Sequence, residues 1–176
     1  MEGSSMKGLL AVLFALVSVP ALATPAHERE RATTNVSADA GDRNVIRQAV
    51  LDHEADPLSK ESRTKLAPML LAHFDDVPYV VCLDQVPGLE EQGKLGKALL
   101  WQLVFGTGAF IEQNPARAND REAYMLAGLQ SAVRAYRNAR AKDPRKTIPL
   151  FEELDDLERH GKLREHVHAH ACVKKP

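Results

Sequence analysis

The 176-residue chain sets 23 lysines and arginines against 24 aspartates and glutamates, for a formal net charge of −1. It therefore lacks the basic excess with which proteins hold a nucleic-acid backbone, and no long single-sign tail suits it to a polyanionic partner. Hydrophobic residues make up 44% of the chain, enough to build a core of ordinary size.

The first element in chain order is an export signal. Lys7 supplies a positive start, Gly8 to Val19 (GLLAVLFALVSV) an apolar stretch, Pro20 a break, and Ala21-Leu22-Ala23 an A-x-A site for cleavage before Thr24. This is the order of a secretory signal peptide. The stretch falls short of the roughly 20 apolar residues of a membrane span, so residues 1–23 read as a signal and no stable anchor is expected after cleavage. The alternative is a buried N-terminal helix. Glu2 sits poorly in a positive segment, and Met6 followed by Lys7 makes a cleaner start. No cysteine follows the apolar core, so no lipid-modified terminus is expected. The mature product, about 150 residues or one domain, is expected in the periplasm or outside the cell.

Residues 24–42 (TPAHERERATTNVSADAGD) hold hardly any large apolar side chain and read as a flexible lead. A single helical domain is expected over 43–176. Arg43 to Glu54 places Val45, Ile46, Ala49, Val50 and His53 on one helical face, and Asp56-Pro57 ends that helix. Ser62 to Phe74 predicts a second helix, with Pro68 either interrupting it or opening a shorter one. Val77 to Leu83 (VPYVVCL) is consistent with a short strand or a buried helical turn, and periodicity does not choose between them. A lone strand would have no partner, so the fold class expected is all-α: one compact bundle of about five or six helices, with at most a short strand or extended segment at 77–83.

Lys94 to Gln113 (KLGKALLWQLVFGTGAFIEQ) is the most apolar part of the mature chain. A helix apolar all round is a buried one, so Trp101 and Phe105 are expected in the core. Its length and Gln102 argue against a membrane span, and Gly106 and Gly108 either kink it or admit a close neighbour. Asn119 and Glu122 suggest a capping box for the next helix, which carries Leu126, Leu129, Val133 and Tyr136 on one face and the small residues Gly128, Ser131 and Ala135 roughly opposite. Asp143-Pro144 stops it. Pro149 opens a further helix, with Phe151, Leu154 and Leu157 inward and Gly161 as its C-cap. A short terminal helix is expected over Leu163 to Cys172.

Candidate chemistry is sparse. His166, His168 and His170 lie beside Glu165 and Cys172. On a helix His166 and His170 share a face at the i,i+4 spacing of metal ligands, while His168 points elsewhere. The cluster ends the chain, where nothing downstream encloses a site, so adventitious metal binding is the stronger reading and no native metal or cofactor is expected. The acid pairs Asp75-Asp76, Glu90-Glu91, Glu152-Glu153 and Asp155-Asp156 diverge from one another on a helix and read as solvated faces. The acidic helix after Pro149 is expected to face the basic end of the preceding one, with Arg134 and Arg137. Ser59, Ser62 and Ser131 lack a nucleophile-elbow context, and Phe105-Gly106-Thr107-Gly108 is misplaced for a phosphate loop. No catalytic residue is assigned. Cys82 and Cys172 are an even count in an oxidising compartment and are expected to pair. The bridge would close a loop of about 90 residues, for which the chain-entropy estimate is roughly 4–5 kcal/mol.

Gly128 to Pro144 (GLQSAVRAYRNARAKDP) resembles the second helix of a tetratricopeptide repeat, but no copy recurs at the period of about 34 residues that an array requires. The order VC, LLWQLVFGTGAFIEQNP, LAGLQSAVRAYRNARAKDPRKTIPLFEEL and a terminal cysteine, spanning Val45 to Cys172, resembles a group of small exported bacterial helical proteins of unassigned function. That resemblance implies a compact secreted helical domain and lends no active site. The function expected is a non-enzymatic binding domain with a protein partner in the cell envelope. The alternatives are a periplasmic immunity or inhibitor protein against a cell-wall-active toxin, and a metal-binding protein or metalloenzyme using His166 and His170.

Overall fold

The computed structural model describes residues 26–75 and 81–170, with side chains from Gly41 onward. The expected signal peptide, Val77 to Val80 and Cys172 lie outside the described residues. The backbone divides into two units, Met1–Val36 and Ser37–Pro176, and every core residue discussed below belongs to the second.

Among the described residues six α-helices follow in chain order: α1 (Ala26–Ala55), α2 (Ala67–Phe74), α3 (Gly93–Gln113), α4 (Arg121–Lys142), α5 (Pro149–Arg159) and α6 (Leu163–Ala169). The fold is all-α, a packed helical bundle with no strand among the described residues. Of the segment that left a strand open, Val81 and Cys82 are irregular and Leu83 starts a 3-10 turn, Leu83–Gln85.

Helix α1 begins at Ala26, well before Arg43, so the segment read as a flexible lead is helical in its backbone from Ala26 on. Ala, Glu and Arg dominate its first turns, and all three have high helix propensity. The expected inward face of α1 also needs correcting. Ile46, Ala49, Val50 and His53 are buried, but Val45 is 63% exposed.

The proline at position 68 is accommodated by a change of helix type. A π-helical turn, Ser62–Leu66, runs directly into α2, where Pro68 stands in the first turn. The run is continuous, the Ala67 N–H pairing with the Ser62 carbonyl in the wider π pattern, and this change of hydrogen-bond register accommodates a residue that has no N–H to donate.

Helix α3 is apolar on two sides because it serves two cores, with Lys94, Lys97 and Gln113 exposed. Leu95, Leu99 and Leu103 join Leu129, Val133 and Tyr136 of α4, Phe151 and Leu154 of α5, and Leu163 and Val167 of α6. Its other side brings Phe105 and Ala109 against Ile46, Ala49 and Val50 of α1 and Ala67, Leu70 and Phe74 of α2. Burying each such large side chain is worth about 1.5–3 kcal/mol. Phe105 is fully buried as expected, whereas Trp101 is only half-buried and packs at the margin of the second core. The fully buried residue beside it is the polar Gln102.

Gly106 and Gly108 do not break α3, which is continuous from Gly93 to Gln113. They mark close approach instead. A Cβ on Gly106 would lie 2.5 Å from the Ser131 Cβ, and one on Gly108 would lie 2.6 Å from the Phe74 ring. Gly128 on α4 answers Gly106, with its own Cα 3.1 Å from the place of a Gly106 Cβ.

Helix α4 is capped by Asp120 rather than Asn119, the Asp120 carboxylate accepting from the Ala123 N–H at 3.0 Å. Arg117 holds that carboxylate in place at 2.9 Å and, with the Ala123 hydrogen bond, lowers its pKa. Pro149 opens α5, and Gly161 follows its end at φ +71°, where only glycine is unstrained.

Candidate functional site

A buried polar network joins α1, α3 and α4. The Gln102 Nε2 group donates to the Ser131 Oγ at 2.7 Å and to the Val50 carbonyl at 3.3 Å. Its Oε1 therefore faces His53, whose Nδ1 lies 2.6 Å away and must be the donor. Ser131 in turn donates to the Glu54 Oε2 at 2.6 Å. Arg134 closes the chain by gripping both Glu54 oxygens, Nε to Oε1 at 2.8 Å and Nη2 to Oε2 at 3.0 Å. Every hydrogen in the sequence His53, Gln102, Ser131, Glu54 is thus assigned a direction. Ser131 is separated from the His53 imidazole by the Gln102 amide, so the group is a brace between helices and not a nucleophile with its base. Asn138 and Lys142 of α4 extend the brace by donating to the Glu54 and Ala55 carbonyls at the end of α1, acceptors that the helix itself leaves unpaired.

His53 is the vulnerable member. It is fully buried, lies edge-on to the Phe105 ring with centroids 5.2 Å apart, and its Nε2 has no hydrogen-bond partner among the described residues. Burial lowers its pKa against the smaller opposing effect of Gln102. The nearest charges along the network, Glu54 and Arg134, are already spent on each other. A histidine with a depressed folded pKa stabilises fully above its unfolded value of about 6.5 and loses that contribution as pH falls toward the folded value. Urea midpoints should accordingly fall on acidification below about pH 6.5, and the His53→Gln variant should show a shallower fall. Equal slopes for the two proteins would remove His53 from the acid response.

Above this network the same three helices form an open cleft of about 210 Å³. Its lining positions recur at helical spacing on each wall: Arg47, Val50, Leu51 and Glu54 on α1, then Gly106, Ala109, Phe110 and Gln113 on α3, with Ala127, Ser131 and Arg134 on α4. Gly106, lacking a side chain, lets α4 come close enough to form the floor. Charged or amide groups stand toward both ends, and Val50, Leu51, Ala109, Phe110 and Ala127 supply the apolar middle.

The other described residues singled out for candidate chemistry, apart from Ser131 and Gly106, do not line this cleft. The His166 and His170 rings do share a face, and they stack at 4.2 Å with planes 28° apart. His166 approaches the Gln85 carbonyl and has its pKa lowered by burial, while His168 approaches Glu122. Glu122 also binds Arg164 at 2.7 Å, so it ties α4 to α6 rather than completing a capping box. No group of three or more metal-ligating side chains occurs among the described residues. The two acid pairs of α5 separate as expected for neighbours on a helix. Glu152 engages Tyr136 and Arg140, and Asp155 engages Arg137 and Arg159, while Glu153 and Asp156 face solvent. The acidic helix thus meets Arg137 and Arg140, but Arg134 turns to Glu54 of α1 instead. Cys82 is buried beside Val167 and His168, with which it lines a second small cavity, and there is no free cysteine among the described residues.

Reading the sequence missed the brace. Its one available signal was Gln102, an amide in the midst of the apolar run Ala98 to Phe105, since a buried amide must find partners for its donors and acceptor. No family model, curated protein or solved structure matches this chain.

Proposed function

We propose that this protein is an exported, non-enzymatic binding domain of the periplasm or extracellular space, tied by a Cys82–Cys172 disulfide, and that it binds through the α1–α3–α4 cleft. The observation that carries this reading is the brace beneath the cleft. Ser131, Glu54 and Arg134 belong to both, so the polar groups offered to a ligand are held in place before it arrives, which lowers the ordering cost of binding. A concave, mainly apolar groove with a few convergent polar groups is the usual form of a binding site.

The cleft is tested by filling it. Ala127→Trp should abolish retention of a cell-envelope component by the immobilised protein while leaving the melting temperature nearly unchanged. Retention that survives the substitution would place binding elsewhere. Export is tested separately on protein recovered from the periplasm, whose intact mass should begin at Thr24. The proximity of Cys82 to Val167 and His168, a few residues before Cys172, supports the bridge. Non-reducing peptide mapping should recover the two cysteines joined, and Cys172→Ser should cost about 2–5 kcal/mol. Two freely alkylated cysteines would end that part of the proposal.

A further inference from the structure

The charge around the cleft is unbalanced in a way that names its ligand. Glu54 is neutralised, because Arg134 grips both its oxygens and Ser131 donates to one of them. That bidentate pair uses Nε and Nη2 of Arg134, so that Nη1 has no partner among the described residues, and the side chain remains 45% exposed. Arg47, two helical turns before Glu54 on the same wall, makes no ion pair or hydrogen bond among the described residues. The positions that could neutralise it along α1, three and four residues away, are Arg43, Asn44, Val50 and Leu51, none of them acidic. Across the cleft stands the neutral Gln113. Arg47 therefore contributes an uncompensated positive charge to a groove whose middle is apolar.

From this we infer that the cleft binds an anionic amphiphile: a carboxylate on a short hydrocarbon body, its charge at Arg47 and its apolar part along Leu51, Phe110 and Ala127. The inference rests on the cleft being the binding site. The seven residues from Arg47 to Glu54 span about 10 Å of helix, which sets the length of the apolar body. A carboxylate suits arginine because the guanidinium presents two parallel N–H groups to its two oxygens. The groove is shallow and open, so affinity is expected to be modest and to weaken with salt.

Octanoate is a probe of matching length, with octanol and octylamine as its neutral and cationic counterparts. In two-dimensional NMR of the purified protein, octanoate should shift the amides of Leu51, Phe110 and Ala127 and bind more tightly than either counterpart. Arg47→Gln, with circular dichroism confirming the fold, should weaken octanoate about tenfold, as expected for one lost charge-assisted contact. Equal binding of octanol, unchanged octanoate affinity in Arg47→Gln, or shifts confined to residues outside the cleft would overturn the assignment. The outcomes separate the two claims. If octanoate fails while Ala127→Trp still abolishes envelope retention, the cleft stands and its anion preference falls. If octanoate binds the cleft while Ala127→Trp leaves retention intact, the ligand chemistry stands and the functional reading falls.

Discussion

Gln102→Ala should be among the most destabilising single substitutions in this protein, costing about 3–5 kcal/mol. Gln102 is fully buried and serves three partners at once: His53, Ser131 and the Val50 carbonyl. Truncation leaves the buried His53 Nδ1–H without a partner, at about 1–3 kcal/mol for a buried group left unsatisfied, and takes from the Val50 carbonyl the second of its two hydrogen bonds, the first being the one within α1. It also opens a void between α1 and α3 that the surrounding helices can close only in part. Ser131 fares better, since Glu54 still takes its proton. A neighbouring substitution separates the polar effect from the packing effect. Gln102→Leu keeps much of the volume and strands the same partners, whereas Gln102→Leu with His53→Leu removes the donor as well. The double variant should be more stable than the single Gln102→Leu, because replacing both ends of a buried hydrogen bond avoids the unsatisfied group. Equilibrium urea unfolding of the three variants provides the measurement. A loss below about 1 kcal/mol for Gln102→Ala, the size of one ordinary hydrogen bond, would show that the network contributes little.

The second large effect is expected at Gly128, where two opposing terms have to be weighed. In a helix interior, glycine to alanine normally stabilises by up to about 1 kcal/mol through the backbone entropy of the unfolded chain. Here the new methyl would lie 2.1 Å from the Thr107 Oγ1 and 2.6 Å from the Leu103 carbonyl oxygen. The first contact could be relieved by a side-chain rotation, at the expense of the 2.8 Å hydrogen bond from Thr107 to Leu103. The second is with backbone and cannot be relieved that way. Helices α3 and α4 would have to separate along their shared interface, and overpacking of this kind costs about 1–3 kcal/mol or more. Sterics should therefore win, with Gly128→Ala destabilising by about 2–3 kcal/mol net and the thermal midpoint falling by several degrees. Adding Thr107→Ala should recover only part of the loss, because the Leu103 carbonyl remains. A Gly128→Ala protein that melts at or above the wild type would mean that the α3–α4 spacing relaxes at little cost.

Both predictions concern the helix pair that carries the fold, and both bear on the cleft. Ser131 sits one helical turn after Gly128 and touches Gly106, so a displaced α4 would move Ser131 and Arg134 together. Loss of ligand binding in Gly128→Ala should accordingly exceed what its loss of stability alone would cause.

How much of this was legible in the residues depends on the range of the interaction that decides each feature. Local chemistry determined the helices and their ends: Asp56-Pro57 after α1, Asp143-Pro144 after α4, Pro149 opening α5 and Gly161 closing it. These signals act over a few residues, through proline's fixed φ and glycine's access to positive φ. The burial of most of α3 was equally readable, because a helix with almost no polar face has little but the interior to go to. Three things waited for the tertiary structure. Which side of α1 is buried was set by where α2 and α3 lie, and this exposes Val45 although it belongs to the apolar pattern. The depth of Trp101 was decided by two cores competing for the faces of one helix, and the geometry gave the deeper place to Gln102. The brace of His53, Gln102, Ser131, Glu54 and Arg134 joins residues far apart in the chain, and its hydrogen bonds exist only once glycines have let α3 and α4 approach. Sequence periodicity records which faces are apolar, but the partner of a buried polar atom is chosen by the packing of other segments, so the cleft and the place of Arg47 in its wall came into view only with the fold.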